Sequence, residues 1–368
     1  MTDFSQFVPA YIRRLAEGDQ ARPLKQSSGS AKPIALNLNE NPFGPSPLAL
    51  KAITAAFSDV HRYPEIQATE LHDAIAQFHG VNRDQVLVTA GATELLCILA
   101  KALLTPGLNA ITSARSFIVY KLATQVTEGR LIEVATRDNG YDLGAIAESI
   151  DAHTRIVFVA NPNNPTGTLV TANEVDAFLS RVPEHVLVVL DEAYGDFAED
   201  FAQQRGVTYP RSLDYVRQNR NVILLKTFSK THGLAGLRVG YGIGPVRLMS
   251  LFAPLRTIFS VSSIAQAAAL AALEDTGHIR QAVKNNAEQA EVLTAGLKGM
   301  GFPVPQTWAN FLYCELGQDA AAFAERLRTA GVIVQPLGMW GAPTAIRISI
   351  GTPEQNVQLL QALSEVKQ

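Results

Sequence analysis

The sequence is poor in the features that mark secreted, membrane or nucleic-acid-binding proteins. Its 368 residues include two cysteines, Cys97 and Cys314, which share no metal-binding spacing, so we expect core thiols, no disulfide and no metal site. No apolar run approaches the roughly 18 residues of a membrane span. The first residues lack the apolar stretch of a signal peptide. The net charge is -3 without any basic tract, which argues against nucleic acid as a partner. We therefore expect a cytoplasmic protein that binds neither membranes nor nucleic acid.

The length and the order of the apolar segments indicate two domains. At 368 residues the chain exceeds the usual size of a single hydrophobic core. Residues 154–160, 186–190 and 221–225 are largely apolar runs separated by helical segments. Such runs indicate a mostly parallel sheet with helices on both faces, a three-layer α/β domain. After Pro245, long helical segments alternate with short strands, which indicates a smaller α+β domain.

These patterns set the predicted limits of each part. We predict an N-terminal arm over residues 1–36, a large domain over residues 37–248 and a small domain over residues 249–368. The arm would contain one short helix and a weak linker at residues 26–31. The alternative is that the first residues of the large domain pack on the small one.

A segment dense in Asn and Pro follows the arm. Residues 36–47 can form neither a helix nor a central strand, so they are predicted to form a structured loop. Asn39 in this loop is a candidate substrate ligand, and the alternative is that it only forms a turn.

Polar residues follow several of the predicted strands at the point where each strand ends. Gly91, Asn164, Asp191 and Lys230 come after four different strands. Gly91 also opens a helix, whose first amides form a potential anion site. Ligands of parallel sheets bind beyond the carboxyl ends of the strands. We therefore expect these four residues to meet at one edge of the sheet.

The richest set of reactive side chains lies between residues 226 and 241. Lys230 is flanked by Thr227 and Ser229, and Arg238 follows beyond a Gly-Leu-Ala-Gly turn. A lysine amine can condense with a carbonyl group, while hydroxyls and a guanidinium bind phosphate. The pattern favours a phosphorylated carbonyl compound as the ligand, and the alternative is a solvated loop with an unreactive lysine.

Three motifs occur in order along the chain: Asn-Pro-Thr-Gly at residues 164–167, Asp-Glu-Ala-Tyr at residues 191–194, and Ser-Lys with Gly-Leu-Arg at residues 229–238. Through them the chain resembles the fold-type I pyridoxal-phosphate aminotransferases, and within that group it is similar to the histidinol-phosphate aminotransferases. The resemblance implies pyridoxal phosphate as cofactor and a homodimer with shared active sites. It also implies a ping-pong exchange of an amino group between histidinol phosphate and 2-oxoglutarate, a step of histidine biosynthesis.

The resemblance also implies roles for individual residues. Lys230 would attach the cofactor covalently and move protons, Asp191 would pair with the pyridine nitrogen, and Tyr194 would donate to the ring oxygen. The other implied cofactor residues are Gly91, Ala92, Thr93, Phe117, Asn164, Thr227, Ser229, Arg238 and, from the neighbouring subunit, Tyr63. The candidate substrate residues are Arg347, Asn310, Asn39, Tyr11 and Gln335.

Substrate preference is the most open part of the prediction. An arginine inside an apolar strand, such as Arg347, needs an anionic partner, which is either a substrate or an internal Glu. Gln335 stands where the family often has Arg, and Thr93 stands where an acidic residue is common. The loss of a cation favours an aromatic or other amino acid as donor, and Trp340 nearby would suit a ring. A phosphothreonine-type decarboxylase and a regulatory module that binds the cofactor are further alternatives.

Overall fold

The computed structural model describes residues 7–17 and 33–367, with the side chains of residues 14–17 left undescribed. The short helix predicted in the N-terminal arm is present at Ala10–Glu17. The predicted linker at residues 26–31 lies outside the described residues.

Helices and strands alternate over most of the described chain. The helices are α1 (Ala10–Glu17), α2 (Pro47–Ala56), α3 (Thr69–His79), α4 (Gly91–Leu103), α5 (Ile118–Gln125), α6 (Leu143–Glu148), α7 (Ala172–Leu179), α8 (Gly195–Arg205), α9 (Ser212–Arg217), α10 (Val246–Phe252), α11 (Ser263–Glu274), α12 (Thr276–Gly299), α13 (Ala320–Thr329) and α14 (Pro353–Lys367). The strands are β1 (Ile34–Ala35), β2 (Val86–Thr89), β3 (Asn109–Ser113), β4 (Arg130–Val134), β5 (Thr154–Ala160), β6 (Leu187–Asp191), β7 (Val222–Thr227), β8 (Gly240–Ile243), β9 (Phe311–Glu315), β10 (Val332–Ile333), β11 (Gln335–Leu337) and β12 (Ala342–Ser349). None of the helices in the described part is long and apolar enough to cross a bilayer.

Seven strands form a central sheet in the order β2-β8-β7-β6-β5-β3-β4. Strand β8 runs antiparallel to both β2 and β7, and the other four pairings in the sheet are parallel. Every residue of β6 is buried, as is nearly all of β5. Successive strand residues point to opposite faces, so burial of all of them means that helices cover both faces.

The strand directions explain why the predicted residues share one edge. Because β8 is antiparallel to both β2 and β7, β2 runs in the same direction as β5, β6 and β7. Their carboxyl ends therefore lie at the same edge, where β8 begins. Gly240 at the start of β8 makes this approach possible, since a Cβ there would lie 2.9 Å from the amide nitrogen of Ala92 on α4.

The C-terminal part of the chain builds two smaller sheets over a separate apolar core. Strands β11, β12 and β9 form an antiparallel sheet, whose core includes the fully buried Leu312, Phe323 and Ile348. Strand β1 pairs in parallel with β10, so the beginning of the chain joins this part. Helix α11 contributes Ala265 to the core of the central sheet, although it follows residue 248. The predicted domain limits stay a prediction.

One prediction about the core was wrong. Cys97 on α4 is exposed, although its sequence neighbours Leu96 and Ile98 are buried. Successive residues of a helix point in different directions, so apolar neighbours in sequence do not bury the residue between them. Cys314 on β9 is buried as predicted.

Candidate active site

A cavity of about 440 Å³ opens at the carboxyl edge of the central sheet, next to the small antiparallel sheet. Most of the side chains predicted from the sequence line it. These are Asn39, Ala92, Thr93, Phe117, Asn164, Asp191, Tyr194, Thr227, Ser229, Lys230, Arg238, Gln335 and Arg347. Trp340, which the sequence analysis considered as a pocket residue, also lines the cavity.

Lys230 extends from the loop after β7 towards the loop that follows β1. Its Nζ donates hydrogen bonds to the carbonyl oxygens of Leu38 at 3.1 Å and Asn39 at 3.0 Å. Burial lowers the pKa of Lys230 to about 7, and the nearby guanidinium groups of Arg347 and Arg238 act in the same direction. Near neutral pH a substantial fraction of this amine is unprotonated, which is the nucleophilic form.

Asp191 at the end of β6 is buried and held by two donors. Its Oδ2 accepts a hydrogen bond from the Tyr120 hydroxyl at 2.8 Å, and its Oδ1 accepts one from the Ala193 amide at 3.1 Å. Burial raises the pKa of Asp191 to about 6. Tyr120 is itself fixed by stacking on Phe158, with ring centroids 4.7 Å apart. Tyr120 was not predicted from the sequence. Its position one helical turn after Phe117 is the one feature of the sequence that could have indicated a place near the site.

The Tyr194 hydroxyl receives two amide donors. Nδ2 of Asn39 lies 3.0 Å from it and Nδ2 of Asn164 lies 3.3 Å from it. The backbone of Asn39 is fixed in turn. Its backbone N–H donates to Oγ of Ser349, and its backbone carbonyl accepts from Nδ2 of Asn310. Asn39 has a positive φ of 56°, a conformation that Asn tolerates better than most residues. It therefore joins both sheets and the reactive loop.

The start of α4 and the guanidinium of Arg238 enclose an anion cradle. Gly91 has a φ of +75°, and a Cβ at this position would lie 2.6 Å from Nη2 of Arg238. The Thr227 hydroxyl donates to that of Ser229 at 3.0 Å, so the two hydroxyls lie side by side. Free amides at a helix N-terminus, hydroxyls and a guanidinium together suit a phosphate group.

The acidic residue in the first turn of α4 does not face this cradle. Glu94 accepts hydrogen bonds from the Ala90 amide at 2.5 Å and from the Ser260 hydroxyl at 3.0 Å. Its negative charge is thereby engaged on another side of the helix, and Thr93 lines the cavity instead.

Arg347 on β12 is a buried cation without an internal anion. Its Nη1 donates to Oδ1 of Asn164 at 2.5 Å and its Nη2 to the carbonyl of Asn37 at 2.7 Å, while Nε has no partner in the part of the chain that the structure describes. Within residues 33–367, no carboxylate forms an ion pair with Arg347. The alternative of an internal Glu partner is therefore wrong for the described residues. A buried guanidinium of this kind needs an anionic ligand.

Two further buried polar atoms near the site have no hydrogen-bond partner among the described residues. They are Trp340 Nε1 and Asn310 Oδ1, for which residues 33–367 offer no hydrogen bond. The Arg347 guanidinium lies 5.8 Å from the Trp340 ring centroid. Gln335 stands opposite Arg347 in the sheet register, and its Nε2 donates to the carbonyl of Pro336 at 3.0 Å. This end of the cavity thus combines one cation with amide and indole groups.

Four of the predicted residues lie outside the set that lines the cavity. Gly91 and Asn310 lie next to it, behind Arg238 and Asn39 respectively. Tyr63 is 81% exposed and stacks on Phe259, and Tyr11 lies half-buried on α1. Their predicted roles stay predictions.

His232, two residues after Lys230, is buried. It lines a second cavity, which Lys226 also lines.

Comparison with known proteins identifies the family. The model of the family "Aminotransferase class I and II" matches residues 31–363. Histidinol-phosphate aminotransferase 2 of Pseudomonas fluorescens is 41% identical over 333 residues, which cover 90% of this chain and 88% of that protein. Histidinol-phosphate aminotransferase of Akkermansia muciniphila is 38% identical, and the match covers 98% of each chain. The protein described here belongs to the aminotransferase class I and II family.

A solved structure agrees with this assignment. Histidinol-phosphate aminotransferase from Sinorhizobium meliloti, in complex with pyridoxal-5'-phosphate, is 28% identical and matches with a TM-score of 0.85, over 96% of this chain and 98% of that one. The predicted α/β fold class, the predicted class of enzyme and the predicted cofactor, pyridoxal phosphate, are thereby confirmed.

The described residues fit this cofactor. The cradle at Gly91 and Arg238 offers donors for a phosphate, and a side chain at position 91 would fill the space beside the guanidinium. Asp191 offers a buried carboxylate for a protonated ring nitrogen, and Lys230 offers a partly unprotonated amine. An amine, a carboxylate and an anion cradle in one cavity are the donor set that pyridoxal phosphate requires.

Proposed function

We propose that the protein exchanges an amino group between histidinol phosphate and 2-oxoglutarate, giving imidazole acetol phosphate and glutamate. The observation that carries the proposal is Arg347, a buried guanidinium that forms no ion pair within the described residues and lines the same cavity as Lys230. Both proposed substrates carry an anionic group, phosphate or carboxylate, that would neutralise it. The names of the curated relatives support the choice of this pair.

Two buried ionisable residues of the cavity, Asp191 and Lys230, have chemical roles in this reaction. Bound pyridoxal phosphate supplies an electron-withdrawing ring that stabilises negative charge at the substrate carbon next to the amino group. Asp191, held by the Tyr120 hydroxyl, is placed to keep a ring nitrogen protonated. Lys230, with a pKa of about 7, can accept a proton and return it near neutral pH.

Tyr194, Asn164 and Asn39 act as one hydrogen-bonded unit. The two amides hold the Tyr194 hydroxyl, and burial raises the pKa of that hydroxyl, so it stays a donor at neutral pH. Asn164 also fixes Arg347 through its Oδ1, which links the binding of the anionic substrate end to the orientation of Tyr194.

A second donor class is favoured by one observation. Gln335 faces Arg347 in the sheet register, so this end of the cavity carries an amide beside Arg347 and the Trp340 ring. An amino acid with an aromatic side chain would need less positive charge than a phosphate monoester. Such a donor is the alternative to histidinol phosphate.

Half-reactions with single donors test the proposal. Histidinol phosphate, and separately phenylalanine, would be mixed with the loaded enzyme without any oxo acid while the absorbance of the bound cofactor is followed. The proposal expects rapid conversion by histidinol phosphate and slow conversion by phenylalanine, and the reverse order would replace it with the alternative. Release of carbon dioxide without an acceptor would indicate a decarboxylase. Lys230→Ala is the control and should convert with neither donor.

We also propose that the active unit is a homodimer in the cytoplasm, in which Tyr63 reaches the cofactor phosphate of the neighbouring subunit. Exposed apolar side chains around Tyr63 support this, including Val60, Ile258 and Phe259. Tyr63→Phe should weaken retention of the cofactor while sedimentation still gives a dimer. Unchanged affinity for pyridoxal phosphate would argue against a shared site.

A further inference from the structure

The residue directly after Lys230 is held from two sides. The Thr231 hydroxyl donates a hydrogen bond to Oδ2 of Asp196, and the Thr231 carbonyl accepts one from Nδ2 of Asn41 at 2.8 Å. Thr231 is almost completely buried. Asn41 belongs to the same loop as Leu38, whose carbonyl accepts a hydrogen bond from the Lys230 amine. The backbone at Lys230 and the acceptors of its amine are therefore tied to each other through Thr231.

Asp196 reaches Thr231 from the first turn of α8, outside the active-site cavity. It lines a second cavity, of about 460 Å³, together with Lys226, Glu192 and His232. The Lys226 ammonium lies 3.5 Å from the Glu192 carboxylate. Gly195 leaves room for this ammonium, because a Cβ there would lie 3.3 Å from Nζ of Lys226. The second cavity thus places a fixed cation next to the carboxylate that holds Thr231.

The charges around Asp196 keep its carboxylate ionised. Burial acts to raise the pKa of Asp196, but Lys226, His232, the Thr231 hydroxyl and His79 together lower it below its usual value. An ionised acceptor forms a stronger hydrogen bond with a hydroxyl than a neutral one does. The bond to Thr231 is therefore strong over the physiological pH range.

We propose that Asp196 is a positioning residue for Lys230 and acts through the Thr231 hydroxyl. Asp196 does not line the active-site cavity, so its action is to fix the backbone from which the reactive amine extends. The inference rests on the proposed function of Lys230 as the residue that attaches the cofactor. It assigns a catalytic consequence to the second cavity, whose Lys226 favours the ionised form of Asp196 and is itself paired with Glu192.

The proposal predicts which kinetic constants change. Loss of the hydrogen bond lets the Lys230 amine leave its position, and a misplacement of this kind lowers the rate of attachment and kcat by about tenfold. The KM for the donor should stay within about twofold, because the side chain of Arg347 donates to Asn164 and Asn37, and no hydrogen bond from it to Thr231 or Asp196 is found.

The experiment measures covalent attachment directly. Cofactor-free protein would be mixed with pyridoxal phosphate, and the rate of attachment followed by absorbance and confirmed by mass spectrometry after borohydride reduction. Thr231→Val removes the hydroxyl at nearly constant volume and should lower this rate by about tenfold. Asp196→Asn keeps a neutral acceptor and should have a smaller effect. The double variant should be no slower than Thr231→Val alone, because both changes break the same bond.

Two controls separate positioning from structure. Thr231→Ser keeps the hydroxyl and should restore the rate, and Glu199→Gln changes a carboxylate of the same cavity for which no hydrogen bond to Thr231 is found. Thermal unfolding of each cofactor-free variant measures stability separately. Lower unfolding temperatures with an unchanged attachment rate would overturn the proposal. If Thr231→Val does not fold, Asp196→Asn replaces it as the test. A lower attachment rate in Asp196→Asn would support the proposal, and an unchanged rate would overturn it.

Failure of the proposed function gives a different result. In that case the wild-type protein itself would show no attachment at Lys230, and Lys230→Ala would behave like wild type. Attachment in wild type, its absence in Lys230→Ala and wild-type rates in both Thr231→Val and Asp196→Asn would overturn the positioning role alone.

Discussion

Two lysines four residues apart at the end of β7 have opposite electrostatic environments. Burial alone would lower the pKa of Lys226, but the carboxylates of Glu192 and Asp196 outweigh it and raise that pKa. Burial also lowers the pKa of Lys230, and here the guanidinium of Arg347 adds to the effect, so the pKa falls to about 7. Burial thus acts to lower the pKa of both lysines. The charge of the neighbours decides which lysine is a structural cation and which is a reactive amine.

The largest effect is expected from Lys230→Arg, which keeps the positive charge but cannot lose its proton. Without an amine that attaches the cofactor and transfers protons, kcat should fall by roughly 10⁴-fold or more. Steady-state kinetics would measure the loss of kcat. Mass spectrometry after borohydride reduction would measure the loss of covalent cofactor attachment. The matched control is Lys226→Arg, which should keep most of the activity because that position needs only a charge. Comparable losses in the two variants would refute the division of roles.

Arg347→Gln tests the electrostatic environment of Lys230, because it removes one of the cations that lower the pKa of this amine. The value of kcat/KM should fall roughly 100-fold through loss of the anion contact. The pKa of Lys230 should rise, so the acid limb of the pH–rate profile should move to higher pH. A lower kcat/KM with an unmoved acid limb would mean that Arg347 binds substrate without affecting the amine.

Lys226→Met should lower the stability of the folded protein. It leaves the buried Glu192 and Asp196 without their cation, and loss of one partner of a buried pair costs about 3–5 kcal/mol in the free energy of unfolding. Urea unfolding of the variant would measure the loss. Adding Glu192→Gln to Lys226→Met should recover part of it, because an amide needs no counter-ion. A single variant as stable as wild type would show that the ion pair contributes nothing.

The smallest expected effect is a difference in how stability depends on pH. In the cofactor-free protein, Lys230 has a folded pKa of about 7, below the roughly 10.4 of an unfolded chain. Between these values the unfolded chain binds the proton and the folded protein does not, so the free energy of unfolding should increase as pH rises. Lys226 has a raised pKa, so its contribution is complete below the unfolded value and is lost only at higher pH.

The difference between wild type and Lys230→Met isolates this dependence. Urea unfolding of both cofactor-free proteins, at neutral and at mildly alkaline pH, should show a steeper increase in the free energy of unfolding for wild type. Equal slopes would mean that the Lys230 amine is not desolvated in the folded protein.

The sequence alone predicted the place in the site of those residues that belong to a motif and also follow a strand. Asp191 and Lys230 follow apolar strands, and the parallel arrangement brings such positions to one edge whatever the details of the loops. Arg347 was identifiable for another reason, since a charged residue inside an apolar strand needs an anionic partner.

The contacts that hold these residues were not predictable from the sequence. Tyr120 meets Asp191 across 71 residues, and Asn39 meets Ser349 across 310 residues. Such pairs have no local periodicity, because they form only when helices and sheets pack together. The pairing of Lys226 with Glu192 is of the same kind, although Lys226 opens the segment in which the sequence analysis placed the chemistry.

The hydrogen bonds between Leu36 and the strands near the C-terminus have a consequence for the order in which the site forms during synthesis of the chain. The Leu36 amide donates to the carbonyl of Ile333, and its carbonyl accepts from the Ser349 amide, both at 2.8 Å. Asn37 and Asn39, whose carbonyls hold Arg347 and Lys230, follow directly. A chain still attached to the ribosome has its central sheet available long before these partners emerge. We therefore expect the loop that holds Arg347 and the Lys230 amine to reach its final position only after Ser349 has been synthesised.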